Sequence, residues 1–276
     1  MDGSIYLIYL KALALAFIEG VTEFIPVSST GHMILIGDII QFTGEKAHAF
    51  EIFIQLGAIL AVLLIYKEKF FGLIPKTSPE KGLIKGIFIG DSNPTVLHIS
   101  FAILPILILG FLFHSKIKEL LFSPLTVAIG LIVGGILMII AERIPVKTKA
   151  EEVEEINFKQ AFLIGVGQCF ALWPGMSRSG STMIAGLLLG IKHKPAADFS
   201  FIIAVPVMFI AVCYDLLKSY HFLELKDFSY FILGFIFAFI IAWFSVKWFL
   251  KILNKVKLTP FGIYRIIIGA ITLYVI

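Results

Sequence analysis

Residues 19–32 read Glu19-Gly-Val-Thr-Glu23-Phe-Ile-Pro26-Val-Ser28-Ser29-Thr30-Gly31-His32, two carboxylates, three consecutive hydroxyls and an imidazole in a chain that is 59% hydrophobic. A charge at the centre of a bilayer-spanning helix costs about 2.5–3.5 kcal/mol on insertion scales. A sequence that concentrates such costs in one short stretch uses them. Glu19 and Glu23 are spaced to share one helix face. Pro26 ends or turns that helix. The Ser-Ser-Thr-Gly that follows forms a hydroxyl-rich turn before a helix starting near His32, the arrangement of backbone N–H groups that cradles an anion.

The flanks decide how this stretch sits. The apolar runs at 5–18, interrupted by Lys11, and 33–42 are both too short to cross about 30 Å of hydrocarbon, which takes about twenty helical residues. A helix that enters, turns at 26–31 and returns satisfies both lengths. Such a re-entrant hairpin needs protein or a cavity around its broken backbone.

The rest of the composition agrees. A mean hydropathy of +0.97 with 15% charged residues over 276 residues marks a polytopic membrane protein and excludes an ordinary soluble domain. The net charge of +4, spread over scattered lysines, gives no reason to expect nucleic acid. Cys169 and Cys213 both lie in apolar runs, so neither a disulfide framework nor a cysteine metal site is indicated. The N-terminus, with Asp2 before its apolar run and Lys11 inside it, reads as part of the mature fold.

Three spans follow the hairpin, near 49–66, 96–114 and 124–142, with a basic loop over 67–95. Residues 143–159 are the most polar stretch and make a linker. Beyond it the order repeats: a short run (160–172), a polar turn Trp173-Pro-Gly175-Met-Ser177-Arg178-Ser179-Gly180-Ser181-Thr182, a short run (183–191), then spans near 198–217, 229–250 and 259–276. At an offset of 149, Ser28-Ser29-Thr30-Gly31 falls on Ser177-Arg178-Ser179-Gly180, Glu19 on Gln168 and Phe50 on Phe199. The sequence therefore predicts one all-α polytopic membrane domain over 1–276, with repeat halves 1–142 and 160–276, six transmembrane helices and two re-entrant hairpins.

Three spans per half invert the second half relative to the first. The basic residues support that: Lys67, Lys69, Lys76, Lys81, Lys85, Arg143, Lys147, Lys149, Lys159, Lys192, Lys194, Lys247, Lys251, Lys255 and Lys257 fall on one side, against five lysines (46, 116, 118, 218 and 226) on the other. The richer side is cytoplasmic, both termini are outside, and the hairpin tips meet near the bilayer middle. Gly130 and Gly134 mark close helix packing. His48, His98, His114, His193 and His221 receive no role.

Meeting tips gather Glu19, Glu23, Ser28, Ser29, Thr30 and His32 with Ser177, Arg178, Ser179 and Thr182. The arginine fork and the hydroxyls suit phosphate oxygens. The glutamates suit Mg²⁺ or Ca²⁺, which would also neutralise a diphosphate. A serine beside a histidine supplies a nucleophile and a base. Structural readings compete: the glutamates could pair with Arg178 or Lys11, the hydroxyls could cap helices, and His32 could serve the turn.

Glu19-x-x-x-Glu23 with Pro-Val-Ser-Ser-Thr-Gly-His, together with Pro-Gly-Met-Ser-Arg-Ser-Gly-Ser-Thr, resembles the undecaprenyl-diphosphate phosphatase family of bacterial inner membranes, over essentially the whole chain. The resemblance implies removal of the terminal phosphate from an isoprenoid diphosphate lipid, which recycles the carrier for peptidoglycan synthesis. It also implies a divalent-cation requirement and bacitracin resistance on overexpression. By position, Ser29 resembles the nucleophile, Arg178 the phosphate clamp, and Glu19 and Glu23 the acidic pair, with His32 expected as the base for Ser29. An inverted-repeat secondary transporter or lipid flippase is the alternative; a carrier has no use for a nucleophile. A phosphohistidine-type membrane phosphatase is rejected, because the next histidine after Arg178 is His193, in a loop. Association of two copies is left open.

Overall fold

The computed structural model describes residues 2–73, 94–219, 221, 223–253 and 255–276. Most of the expected basic loop, including Lys76, Lys81 and Lys85, lies outside the described residues. Every named element among those described is a helix: α1 (Asp2–Thr22), α2 (Ser29–Ile39), α3 (Glu45–Ile65), the short α4 (Lys67–Gly72), α5 (Val96–Leu121), α6 (Pro124–Arg143), α7 (Phe158–Gln168), α8 (Arg178–Leu188), α9 (His193–Ser219), α10 (Phe228–Ile252) and α11 (Thr259–Val275). Five of them, α3, α5, α6, α9 and α10, are long and apolar enough to cross a membrane. Large side chains such as Leu112 and Phe244 stay exposed on these helices, the surface expected where the solvent is hydrocarbon. The chain is a multi-pass, all-helical membrane protein.

Several boundaries differ from the sequence expectation. α1 spans 21 residues through Lys11 and Glu19 and ends at Thr22, before Glu23 and short of the expected stop at Pro26; Lys11 is accommodated by reaching the backbone carbonyl of Gln41 at 3.1 Å. The first turn occupies residues 23–27, and α2 begins at Ser29 and not near His32. The Ser28 hydroxyl accepts from the N–H of Gly31 at 3.3 Å and so starts the helix early. The expected sixth span, α11, has 17 residues.

The linker is also less solvated than its charges imply. Ala150, Val153 and Ile156 are buried, Ala150 bridges Ile191 in parallel, and the acids pair outward, Glu151 with Lys192 and Glu154 with Lys69.

Helix packing interleaves the two parts of the chain. α1 packs on α10, and α7 packs on α5. In both cases a glycine allows the approach: a Cβ on Gly20 would meet Ile241 at 2.7 Å, and one on Gly165 would meet the Ala102 backbone at 2.8 Å. α3 lies on α9 and α10, and α6 runs along α11. This scaffold brings the two polar turns together.

Candidate active site

The two turns are built alike. Ser28 and Ser177 each have a positive φ, 75° and 68°, a conformation that L residues rarely adopt. Each caps the helix that follows by accepting from the N–H three residues on, Gly31 at 3.3 Å and Gly180 at 3.1 Å. Their backbone carbonyls receive the N–H groups of His32 and Ser181. Both capped helices, α2 and α8, start at this junction.

The polar groups carried on the turns meet. Glu23 accepts from Ser29 through Oε2 and from Arg178 through Oε1, the latter at 3.1 Å. The Glu23 and Arg178 side chains are only 7% and 11% exposed, so removing either partner would strand a charge at a cost of about 3–5 kcal/mol. Arg178 donates through Nη1 to the carbonyl of Ser200 at 3.1 Å and lies over the Phe24 ring at 5.2 Å. Its Nε has no partner.

A cleft of ≈ 110 Å³ opens over this pair, lined on the polar side by Glu23, Ser28, Ser29, Thr30, Ser177 and Arg178, and on the apolar side by Phe122 and residues 171–174.

Other expected site residues stand behind the cleft. The hydroxyl of Ser179 donates to the carbonyl of Ile25 at 3.2 Å and fastens the second turn to the first. Thr182 lies 2.6 Å from the Ser200 hydroxyl and holds α8 to α9. Both were expected to bind phosphate; their hydroxyls are instead used within the fold. His32 was expected as the base for Ser29, but Ser29 donates to Glu23 and not to the imidazole. The His32 Nδ1–H donates to the Ser28 carbonyl at 2.8 Å, so the neutral ring offers its Nε2 lone pair to the hydroxyl of Tyr264, also at 2.8 Å. The acid paired with Ser29 is therefore Glu23.

Glu19 sits one turn behind Glu23, whose N–H donates to the Glu19 carbonyl at 3.0 Å. It is fully buried with neither carboxylate oxygen hydrogen-bonded. An ionised group in that state is expensive, so the residue fits a bound cation. Among the described residues no group of three His, Cys, Asp or Glu could hold a metal. Two carboxylates, with the remaining ligands from water or phosphate, match the habit of Mg²⁺.

Tyr264, Phe24 and Ser200 escaped the sequence reading. Phe24 and Tyr264 look like ordinary apolar-helix residues. Ser200 offers a slight signal, being the one hydroxyl in the otherwise apolar run 199–213.

The undecaprenyl-diphosphatase of Anoxybacillus flavithermus (strain DSM 21510 / WK1) is 45% identical to this chain over 272 residues, covering 97% of each. The family of the bacitracin resistance protein BacA matches residues 12–271, a span that includes both polar turns and every helix except the ends of the first and last. The chain belongs to the bacitracin resistance protein BacA family.

Proposed function

We infer that this protein is an integral-membrane phosphatase that removes the terminal phosphate of undecaprenyl diphosphate, giving undecaprenyl phosphate and recycling the lipid carrier for peptidoglycan synthesis. The observation that carries the reading is the triad Ser29–Glu23–Arg178, a hydroxyl, a base and a cation at one cleft. A serine hydroxyl becomes a useful nucleophile once a base takes its proton. Glu23 already accepts that proton's hydrogen bond. Ser29 Oγ attacks the terminal phosphorus, the bond from phosphorus to the bridging oxygen breaks, and undecaprenyl phosphate leaves. Water then releases phosphate from Ser29, and Glu23 returns the proton to the serine. Arg178, with a free Nε–H and a fork shaped for oxyanions, holds charge on the transferring group, which passes through a loose transition state that gains mostly from electrostatics and positioning. Ser28, Thr30 and Ser177 face the same cleft and orient the phosphate oxygens.

Glu19 and Glu23 would hold Mg²⁺ or Ca²⁺, and the ion would supply neutralisation of the diphosphate charge. Each Glu23 oxygen is engaged once and keeps a second lone pair for this. Purified protein should release phosphate from undecaprenyl or farnesyl diphosphate and lose that activity in EDTA, with recovery on adding Mg²⁺ or Ca²⁺. Absence of phosphate release refutes the phosphatase, and full activity in EDTA refutes the cation. The carrier alternative is not favoured, since the relative is named for hydrolysis and the cleft pairs a nucleophile with a base.

The interleaved packing of α1 on α10 and α7 on α5, with matching capped turns, supports an inverted repeat of two re-entrant hairpins and six spans, and the uneven split of basic residues supports a bacterial inner-membrane orientation with the termini outside. With Cys169 and Cys213 replaced, a cysteine at the exposed Thr148 should resist an impermeant thiol reagent in intact cells, and one at Ile276 should react. The reverse pattern overturns the orientation.

A further inference from the structure

Arg265 is fully buried near the middle of α11, and among the described residues no carboxylate pairs with it. Its Nη2 instead donates to the carbonyls of Gly175 at 2.7 Å and Met176 at 2.9 Å, the last two residues before Ser177, and lies 3.3 Å from the carbonyl of Gly130. Three glycines make its slot. A Cβ on Gly134 would come within 2.7 Å of the guanidinium carbon, one on Gly180 within 3.1 Å of Nη1, and Gly130 presses on Gly175. The Gly130/Gly134 spacing in α6 thus houses an arginine. Burying an arginine among carbonyls is costly, and an apolar side chain would fill a helix–helix seam more cheaply.

The residue before it does the equivalent for the other turn. Tyr264 donates to His32 Nε2 at 2.8 Å, with the two ring planes parallel to within 2°. His32 in turn holds the Ser28 carbonyl. One dipeptide on one helix therefore reaches the turn that carries Ser29 and the turn that carries Arg178.

We propose that Tyr264 and Arg265 are positioning residues that lock the two turns in mutual register, so that Ser29 and Arg178 address the same phosphate. The proposal rests on the phosphatase reading for its kinetic arm alone.

The test has two readouts. Trp173 lies in the second turn, two residues before Gly175, and its Nε1 donates to the Thr126 carbonyl at 2.9 Å. With Trp243 and Trp248 changed to Phe, Trp173 is the remaining tryptophan of the three and reports on that turn directly, whatever the enzyme acts on. In this background Arg265→Met should shift Trp173 emission and raise its acrylamide quenching constant by about twofold or more, because the turn carbonyls lose their donor. Phosphate release should fall on the order of 100-fold in kcat, the scale of an ångström-size misplacement, with KM changed less than about threefold. Arg265→Lys, which keeps the charge without the fork, should fall between Arg265→Met and the parent on both readouts.

Tyr264 is 41% exposed, so Tyr264→Phe tests the same idea without a folding hazard. It should lower kcat by about three- to tenfold, leave Trp173 unchanged, and add nothing on a His32→Gln background, because its effect runs through His32. Parental Trp173 emission and quenching in Arg265→Met and Arg265→Lys would overturn the proposal. So would a Tyr264→Phe effect that multiplies with His32→Gln, or parental kcat in both Tyr264→Phe and Arg265→Lys. Should Arg265→Met fail to fold, Arg265→Lys and Tyr264→Phe carry the decision. If the parent itself releases no phosphate, the phosphatase reading falls and the Trp173 readout still judges the lock.

Discussion

The first and second turns share a backbone and differ in what they carry. Both place a serine at positive φ, both use its hydroxyl to cap the next helix, and both are clamped from α11. At the 149-residue offset, however, Ser29 is answered by Arg178, Glu23 by Leu172, Glu19 by Gln168 and His32 by Ser181. The first turn holds the acids and the serine proposed as nucleophile, and the second holds the arginine. On the proposed mechanism two like turns divide the reaction between them, and neither has the equipment alone. A like pair of acidic turns would repel; an acidic turn facing a basic one forms the Glu23–Arg178 bridge that joins them. Even the leftover polar groups are parallel. Glu19 has two unpartnered buried oxygens, and Gln168 at the matching position has one, with its Nε2 3.3 Å from the carbonyl of Ala102. Of that pair only Glu19 could carry the charge that the proposed cation would neutralise.

The division of labour breaks most severely at the first turn. Ser29→Ala removes the nucleophile and should cost several orders of magnitude in kcat, with substrate binding largely kept. Glu23→Gln keeps the shape but loses the base, an effect of about 10²–10⁴-fold. Single-turnover phosphate release measures both, and a trapped phosphoserine should be found in the parent and be absent from Ser29→Ala. If Ser29→Ala loses only about 10–150-fold, the size of one charge-assisted hydrogen bond, and no phosphoserine forms, the attack belongs to water and Ser29 is demoted to a phosphate ligand.

The second turn should respond more mildly. Arg178→Lys retains the positive charge facing Glu23 but loses the planar fork, so kcat/KM should drop by roughly 10–150-fold, the cost of one charge-assisted hydrogen bond. A loss as large as that of Ser29→Ala would mean that the second turn takes part in bond making and not in charge holding. The two turns would then be less distinct than their residues imply.

Much of this contrast was legible in the sequence. Carboxylates, hydroxyls and an arginine inside apolar runs are conspicuous because their burial is costly, and run lengths located the five long apolar helices, although α1 reaches 21 residues and the expected span α11 only 17. The order of elements on either side of the linker was visible for the same reason. Directions of side chains were not visible. Ser179 and Thr182 have the composition of phosphate ligands, yet their hydroxyls point to Ile25 and Ser200, since a short hydroxyl on a helix finds a nearby carbonyl or hydroxyl as easily as a ligand. His32 stands three residues after Ser29, a spacing that suits a base, but its ring is committed to Ser28 and Tyr264, and Tyr264 is 232 residues away in sequence. The burial of Ala150, Val153 and Ile156 hid among acids and lysines. Arg265 reads in the sequence as a single charge in an apolar helix, because nothing in its neighbours announces that the carbonyls of Gly175 and Met176 lie across from it.

The finest test asks whether the shared backbone is energetically equivalent in the two turns. At Ser28 and Ser177 two effects oppose each other. The hydroxyl cap contributes about 1 kcal/mol, within a range of 0.5–2 kcal/mol, whereas holding an L residue at positive φ costs about 1–2 kcal/mol. Ala loses the cap and keeps the strain, so Ser28→Ala and Ser177→Ala should each destabilise by about 1 kcal/mol, or about 2–4 °C in apparent Tm for a chain of this size. Gly loses the cap as well but relieves the strain, a gain offset in part by the greater freedom of Gly in the unfolded chain. Ser28→Gly and Ser177→Gly should therefore stay within about 0.5 kcal/mol of the parent. Thermal unfolding of the four variants in one detergent gives the comparison directly. The order Ser, Gly, Ala in both turns, with matching intervals, is the signature of one scaffold used twice. If Ala equals Gly at Ser177 but not at Ser28, the positive φ is strained in one turn and relaxed in the other, and the likeness of the turns is one of shape without shared energetics.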